Sequence, residues 1–129
     1  MIRLNAVVEG QTEETFVNRL LAPVLAERNI FIVAHRITTG RRKGRVYRGG
    51  ISRYSQLKND LVIWMRQDQA ANVRFTTMVD LYRLPPDFPG WDNCNKRTDP
   101  FARVRCLEEA LGDDVGDQRF VPYIQLHEF

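Results

Sequence analysis

Apolar residues along the chain gather in short runs, separated by longer stretches in which apolar positions recur every three or four residues. The short runs predict four strands, at residues 2–8, 30–37, 73–81 and 119–126. Consecutive apolar residues such as Ala6-Val7-Val8 are typical of strands covered on both faces of a sheet. The same pattern predicts that the run from Ile30 to Val33 is buried.

The stretch between the first two strands predicts a helix that begins near Thr12 and ends near Asn29. Thr12 is the expected N-cap, and Glu13 and Glu14 favour the positive end of the helix dipole. A kink or a division is expected at Pro23, which has no N–H to donate. The expected apolar face consists of Phe16, Val17, Leu20, Leu21 and Val24.

Two further helices are expected later in the chain. The first is capped by Ser52 and runs to about Ala70, and the second begins at Asp99 and Pro100. Apolar residues at helical spacing favour core packing over a ligand site. They are Tyr54, Leu57, Leu61, Trp64 and Met65 in the first helix, and Phe101, Val104, Leu107 and Leu111 in the second.

The order of these elements, β-α-β-α-β-α-β, determines the expected fold class. It predicts an α/β domain: a Rossmann-like open parallel sheet of about four strands with helices on both faces. Residues 38–51, rich in glycine and arginine, and residues 82–97, with three prolines, are expected to be loops. A length of 129 residues suits one domain. No helix follows the last predicted strand, which leaves open that residues 1–129 are the N-terminal part of a longer protein.

Composition narrows the class of protein. Hydrophobic residues make up 43% and charged residues 27% of the chain, and no apolar run is long enough to cross a membrane. The N-terminus lacks the pattern of a signal peptide, so we expect a cytoplasmic protein. Cys94 and Cys106 are then expected to be free thiols. A zinc site formed by these cysteines and His127 is an alternative, although the chain has no C-x-x-C pair.

Charge is distributed unevenly along the chain. Eight of the nineteen cations lie between Arg36 and Lys58, where there is no acid, and eleven cations face all sixteen acids elsewhere. Such a basic segment on an acidic background indicates an anionic partner, and nucleic acid is the partner that we expect. Binding would be largely non-specific, because nothing here is suited to reading bases. The candidate phosphate-binding residues are Arg41, Arg42, Lys43, Arg45 and Arg48, with Tyr47 as a base-stacking side chain. The alternative is a solvated loop that is merely basic.

Three predicted strands end in an acidic residue: Glu9, Asp80 and Glu128. The ligand site of an open parallel sheet lies beyond the carboxyl ends of its strands, so these side chains are expected to meet. Crowded carboxylates repel each other unless a cation offsets their charge. Mg²⁺ or Mn²⁺ is therefore the predicted cofactor, held by Glu9, Asp80 and Glu128. The alternative is that each acid is a solvated loop residue or a helix cap.

Two motifs carry a resemblance to a known family. The segment Val8-Glu9-Gly10-Gln11-Thr12-Glu13, together with Met78-Val79-Asp80-Leu81-Tyr82 and His127-Glu128-Phe129, resembles a bacterial family of uncharacterised proteins related to Toprim. More distantly, the chain is similar to the Toprim domains of OLD-type nucleases, topoisomerases and primases.

The resemblance implies roles for the strand-end acids. Glu9 matches the Toprim glutamate, a general acid/base or metal ligand, and Asp80 matches the first acid of the Asp-x-Asp motif. Tyr82 stands where the second acid is expected, and Asp87 or Glu128 are the candidates to replace it.

These observations lead to a functional prediction with alternatives. The first is a metal-dependent nuclease in which Glu9 and Asp80 are catalytic and Arg36 and Arg83 stabilise developing charge. The second, favoured by Tyr82, is a catalytically degenerate module that binds nucleic acid or a partner ATPase. A small phosphoester hydrolase is a third possibility. The chain has no P-loop, G-x-G-x-x-G or G-x-S-x-G motif.

The two histidines have separate expected roles. A structural role is expected for His35, within or near the second strand. His127 adjoins Glu128 and is a candidate metal ligand or general base.

Overall fold

The computed structural model describes the backbone of residues 1–42, 45–48 and 51–126. It describes the side chains of residues 1–38 and 51–126. In this part of the chain, no helix is long and apolar enough to cross a membrane. The strands are β1 (Ile2–Val8), β2 (Ile30–Arg36), β3 (Thr38–Arg42), β4 (Arg45–Arg48), β5 (Val73–Asp80), β6 (Phe120–Val121) and β7 (Ile124–Gln125). The α-helices are α1 (Gln11–Phe16), α2 (Ala22–Ala26), α3 (Tyr54–Gln67), α4 (Trp91–Cys94) and α5 (Pro100–Val115). A π-helical turn (Val17–Leu21) joins α1 to α2, and a 3₁₀ turn (Leu81–Arg83) follows β5.

A parallel sheet lies at the centre of the molecule, in the order β2-β1-β5-β6, with β7 also paired to β5. The predicted α/β class with a Rossmann-like parallel sheet is therefore confirmed. In the sheet, β2 lies on one side of β1. The chain then crosses to the other side of β1, where it forms β5. The strand order thus reverses between β1 and β5, the position at which such sheets bind ligands.

Alternate residues of β1 face two different cores, as the two-residue period of a strand requires. Val7 packs with buried residues of α3 and α5, including Leu61 and Leu107. Ala6 and Val8 face the opposite side, where the helical segment after β1 covers them. Both faces of β1 are therefore buried, which explains its continuous apolar run.

The edge strand β2 does not follow that rule. Phe31 and Val33 are about half exposed, whereas Ile32 is buried. The prediction that the whole run from Ile30 to Val33 is buried was wrong, because β2 has a neighbouring strand on one side only and is covered fully on one face.

The first helical segment departs from regular α-helix after Phe16. The N–H of Ala22 donates to the carbonyl of Val17, five residues earlier, in the π-helical turn. This wider turn shifts every later position around the axis. Leu20 and Val24 are consequently exposed, and their predicted place on the apolar face was wrong. The predicted division at Pro23 is confirmed, since Pro23 lies in the first turn of α2.

The helix caps also differ from the predicted ones. Gly10, not Thr12, is the N-cap of α1, and its N–H donates to the Glu13 carboxylate at 3.1 Å. Arg53, not Ser52, is the N-cap of α3, and the Gln56 side chain accepts from the backbone N–H groups of both. In both helices a long side chain from the first turn, rather than a hydroxyl, satisfies the free N–H groups.

Residues 38–51 were expected to be an irregular loop, but residues 38–42 and 45–48 of this segment form strands. The antiparallel strands β3 and β4 pair Arg42 with Arg45, and the register is irregular between Thr38 and Gly40. An irregularity of this kind accommodates a glycine within a strand. Conversely, the single strand expected at residues 119–126 is divided into β6 and β7 around Pro122, which cannot donate to a strand partner.

The two cysteines are bonded to each other, so the prediction of free thiols was wrong. Cys94 on α4 and Cys106 on α5 form a disulfide with a Cα–Cα distance of 5.6 Å. The twelve-residue spacing gave no sign of it, because the contact depends on α4 folding back against α5. While this disulfide is intact, the alternative of a zinc site is excluded, because neither Cys94 nor Cys106 is a thiolate that could bind zinc.

Candidate active site at the carboxyl edge of the sheet

Two carboxylates meet where the strand order reverses. Glu9 directly follows β1 and is 2% exposed, and Asp80 ends β5 and is 3% exposed. The backbone N–H of Asp80 donates to Glu9 Oε1 at 3.1 Å. Parallel pairing brings the two carboxylates together. Val8 of β1 lies opposite Met78 of β5, so both strands end at the same edge of the sheet.

The turn after β1 holds Glu9 in this position. Gly10 is extended, and its N–H is bound by Glu13, which is itself buried. The interpretation of Glu13 as a helix-start charge is therefore incomplete. Its carboxylate also closes the turn and adds a third negative charge near Glu9. Its spacing of three residues after the N-cap was the available signal.

Arg83 lies over both strand-end acids. Its Nη1 is 4.0 Å from Glu9 Oε2, and its Nε is 4.0 Å from Asp80 Oδ2. The Arg83 side chain is 60% exposed, whereas the two carboxylates are buried. One solvent-facing guanidinium therefore spans the pair at a distance longer than a hydrogen bond, so it offsets their charge only in part.

Burial raises the pKa of Glu9 from 4.5 to about 7. The charges of Asp80 and Glu13 contribute to this rise in the pKa, while the Asp80 N–H and Arg83 lower the pKa. A carboxyl group with a pKa near neutrality can both accept and donate a proton under physiological conditions. A cation that approaches the site would favour the ionised form of this carboxyl group and stabilise its charge.

Other acids around the rim have structural partners. Glu14 pairs with Arg36 at 3.4 Å, beside the end of β2. Asp87 accepts the N–H of Tyr54 at 2.9 Å and so holds the start of α3. Asp87 thus has a capping role at the start of α3. Tyr82 itself is 63% exposed, in the turn between Asp80 and Arg83.

His35 packs against α3. Its ring stacks on Trp64 with a centroid distance of 3.7 Å, and its Nε2 lies 2.9 Å from Asn5 Oδ1. Burial lowers the pKa of His35 and so favours the neutral form of the ring. These contacts agree with the structural role expected for His35.

Several predicted site residues cannot be placed in the site. His127, Glu128 and Lys43 lie outside the described residues. The backbones of Arg41, Arg42, Arg45 and Arg48 lie in β3 and β4, but their side chains also lie outside the described part. The third carboxylate and the phosphate contacts therefore stay predictions.

The chemistry of the donor set fits a magnesium ion. Across the side chains of residues 1–38 and 51–126, no three or more His, Cys, Asp or Glu residues are grouped to hold a metal. Mg²⁺ commonly takes only one or two carboxylates and keeps several waters for contact with substrate phosphates. Glu9 and Asp80 supply such a pair.

Comparison with known proteins adds a family but no named activity. No curated protein and no solved structure matches the chain. A family model described as a domain of unknown function, DUF4276, matches residues 8–129, which include Glu9 and Asp80. The chain therefore belongs to the DUF4276 family.

Proposed function

We propose that this protein is a Mg²⁺- or Mn²⁺-dependent nuclease that cleaves phosphodiester bonds through Glu9 and Asp80. One observation carries the proposal: two buried carboxylates share the reversal point of a parallel sheet, and the pKa of one is about 7. A buried acidic pair is costly to maintain, and such groups concentrate at functional sites. The resemblance to Toprim nucleases supports the same chemistry.

The side chains of this site have distinct roles. Asp80 and the ionised form of Glu9 would hold the metal, which when bound polarises a phosphoryl oxygen and lowers the pKa of a bound water. In the metal-free protein Glu9 can take or return a proton, because its pKa lies near neutrality, and a bound metal would lower that pKa and keep Glu9 ionised. Arg83 reaches solvent and can orient a phosphate over the two carboxylates by paired N–H donors.

Nucleic acid is the proposed substrate because of the basic segment that follows β2. Arg36 ends β2 beside the site, and the β3–β4 hairpin follows within two residues. This hairpin includes Arg41, Arg42, Arg45 and Arg48. Cations along such a ribbon would neutralise backbone phosphates without reading sequence.

A cleavage assay on labelled single- and double-stranded DNA and RNA tests the proposal. With Mg²⁺ or Mn²⁺ present, we expect cleavage by the wild type and a loss of at least about a hundredfold in Glu9→Gln and Asp80→Asn. Glu27→Gln is the control, because Glu27 is exposed at the end of α2, away from this edge. The proposal fails if the wild type cuts no substrate with either metal, or if both site variants match the control.

The second candidate is a binding module without catalytic activity. It is favoured by Tyr82, an exposed aromatic residue where the Toprim resemblance implies a metal-binding acid. The partner would be nucleic acid or an ATPase. Replacing Arg41, Arg42, Lys43 and Arg45 by Gln should then weaken nucleic-acid binding and reduce its salt dependence by up to about four counterions. An unchanged salt slope would remove the hairpin as the binding surface.

A further inference from the structure

The disulfide joins two elements that follow the candidate site in the chain. Cys94 ends α4, a single helical turn, and is 1% exposed. Cys106 lies on the long helix α5 and is only partly buried. Cys106 is therefore the more exposed residue of the two, although it also packs against the larger core.

Packing next to Cys94 also places the start of α4 against α5, in addition to the disulfide bond. Gly90 has a φ of +76°, and a Cβ at this position would lie 2.8 Å from Ala110 Cβ and 3.0 Å from Cys94 Sγ. The backbone thus lies flush against α5 immediately before α4. Phe88, two residues earlier, is buried in the larger core and anchors the same segment.

We propose that Cys94 and Cys106 are a reversible redox modification site, oxidised through Cys106 by hydrogen peroxide. The Cys106 thiolate attacks a peroxide oxygen, the O–O bond breaks, and water leaves after protonation, giving a sulfenic acid. The Cys94 thiol then attacks the Cys106 sulfur, the S–S bond forms and the S–O bond breaks, and a second water leaves. Two thiols lose two electrons and two hydrogens, and the peroxide is reduced to two waters.

Preorganisation makes this pair suitable for repeated oxidation and reduction. Since Gly90 and Phe88 hold the segment against α5, the dithiol form keeps the cysteines side by side and no refolding is needed to close the bond. A thiol held near a sulfenic acid reacts before a second peroxide can oxidise it further. The same packing leaves the protein folded after reduction.

The disulfide should change how readily a protease cleaves the segment between Cys94 and Cys106. The disulfide closes a loop that contains Lys96 and Arg97, both exposed. Restraining the ends of a loop lowers the frequency with which it opens to a protease. Trypsin cleavage after these residues should therefore report the redox state.

Mass spectrometry of the reduced, folded protein treated with hydrogen peroxide tests the order of events. The wild type should lose two hydrogens and gain no oxygen. Cys94→Ser should gain one oxygen that dimedone traps at Cys106, whereas Cys106→Ser should stay unmodified at the same dose. The proposal is overturned if the two variants react alike, if the wild type gains oxygen instead, or if dithiothreitol reduces the pair only when the protein unfolds.

Limited proteolysis of the wild type gives a second test that needs no variant. Cleavage after Lys96 and Arg97 should be about tenfold slower in the oxidised than in the reduced protein. Cleavage after Arg28, exposed beyond α2, is the internal control and should be equal in both states. Equal rates at Lys96 and Arg97 would show that the bond does not restrain this segment and would overturn the proposal.

Discussion

Replacing Glu9 by Gln tests whether the buried carboxylate after β1 makes the stability of the protein depend on pH. Gln has nearly the same shape, and its Oε1 can still accept the Asp80 N–H that Glu9 binds at 3.1 Å. The substitution therefore removes the ionisable proton and leaves the contact. Any change in pH dependence then comes from the charge of Glu9.

The sign and size of the effect follow from the pKa of Glu9, which burial raises from 4.5 to about 7. Below pH 4.5 this group is protonated in both the folded and the unfolded protein. As the pH rises to about 7, the unfolded chain releases the proton while the folded protein retains it, so the wild type loses stability. At about 1.4 kcal/mol per pH unit, the loss is about 3 kcal/mol.

Urea unfolding between about pH 4.5 and pH 8, without divalent cations, measures this loss. The free energy of unfolding of Glu9→Gln should rise by about 3 kcal/mol relative to the wild type across the range. Glu27→Gln, which changes an exposed carboxylate, should run parallel to the wild type. A constant difference between Glu9→Gln and the wild type would refute the reasoning, because the pKa of Glu9 would then be the same in both states.

Three further substitutions, two of them paired with a comparison variant, test other parts of the structure. Gly90→Ala should lower the free energy of unfolding by about 2–4 kcal/mol, because its positive φ is combined with a steric contact. Gly116→Ala, with a similar φ of +69° but its nearest atom at 3.8 Å, should cost only about 1–2 kcal/mol in the same urea experiment. Arg119→Met should cost about 2–3 kcal/mol, since Arg119 donates to two carbonyl groups at the end of α3 and to Asp117. Arg105→Met, an exposed change on α5, is its control. Arg83→Met should raise the pKa of Glu9, so the loss of stability caused by Glu9 should extend to higher pH. An unchanged dependence of stability on pH would contradict the interaction between Arg83 and Glu9.

The meeting of Glu9 and Asp80 was predictable although 71 residues separate them. Both acids end apolar runs, and parallel strands that alternate with helices must bring their carboxyl ends to one edge. The apolar runs and the rule for parallel strands were therefore sufficient to predict that Glu9 and Asp80 meet. The same rule could not show that Glu13 is buried beside them, since that depends on how the turn at Gly10 closes.

Other features depended on contacts between segments that the pattern of the chain does not encode. A glycine-rich, arginine-rich stretch is usually irregular, yet β3 and β4 form an antiparallel ribbon whose pairing is irregular between Thr38 and Gly40. Leu20 is exposed because a π-helical turn rotates it away from the core. Cys94 meets Cys106 only because Gly90 lets the chain approach α5 closely. In these three places the backbone departs from the path that a regular strand, helix or loop would take.

The two proposed functions differ in how they account for the cost of keeping Glu9 buried. A catalytic site recovers that cost when Mg²⁺ binds, so a Mg²⁺ concentration a hundredfold above its Kd should stabilise the wild type by about 2.7 kcal/mol at pH 8. Glu9→Gln should gain much less, because a neutral amide is a poor Mg²⁺ ligand. A pure binding module has no group that requires a cation at this edge, and its stability at pH 8 should not respond to Mg²⁺. Metal-linked stability therefore separates the two functions without any knowledge of the substrate.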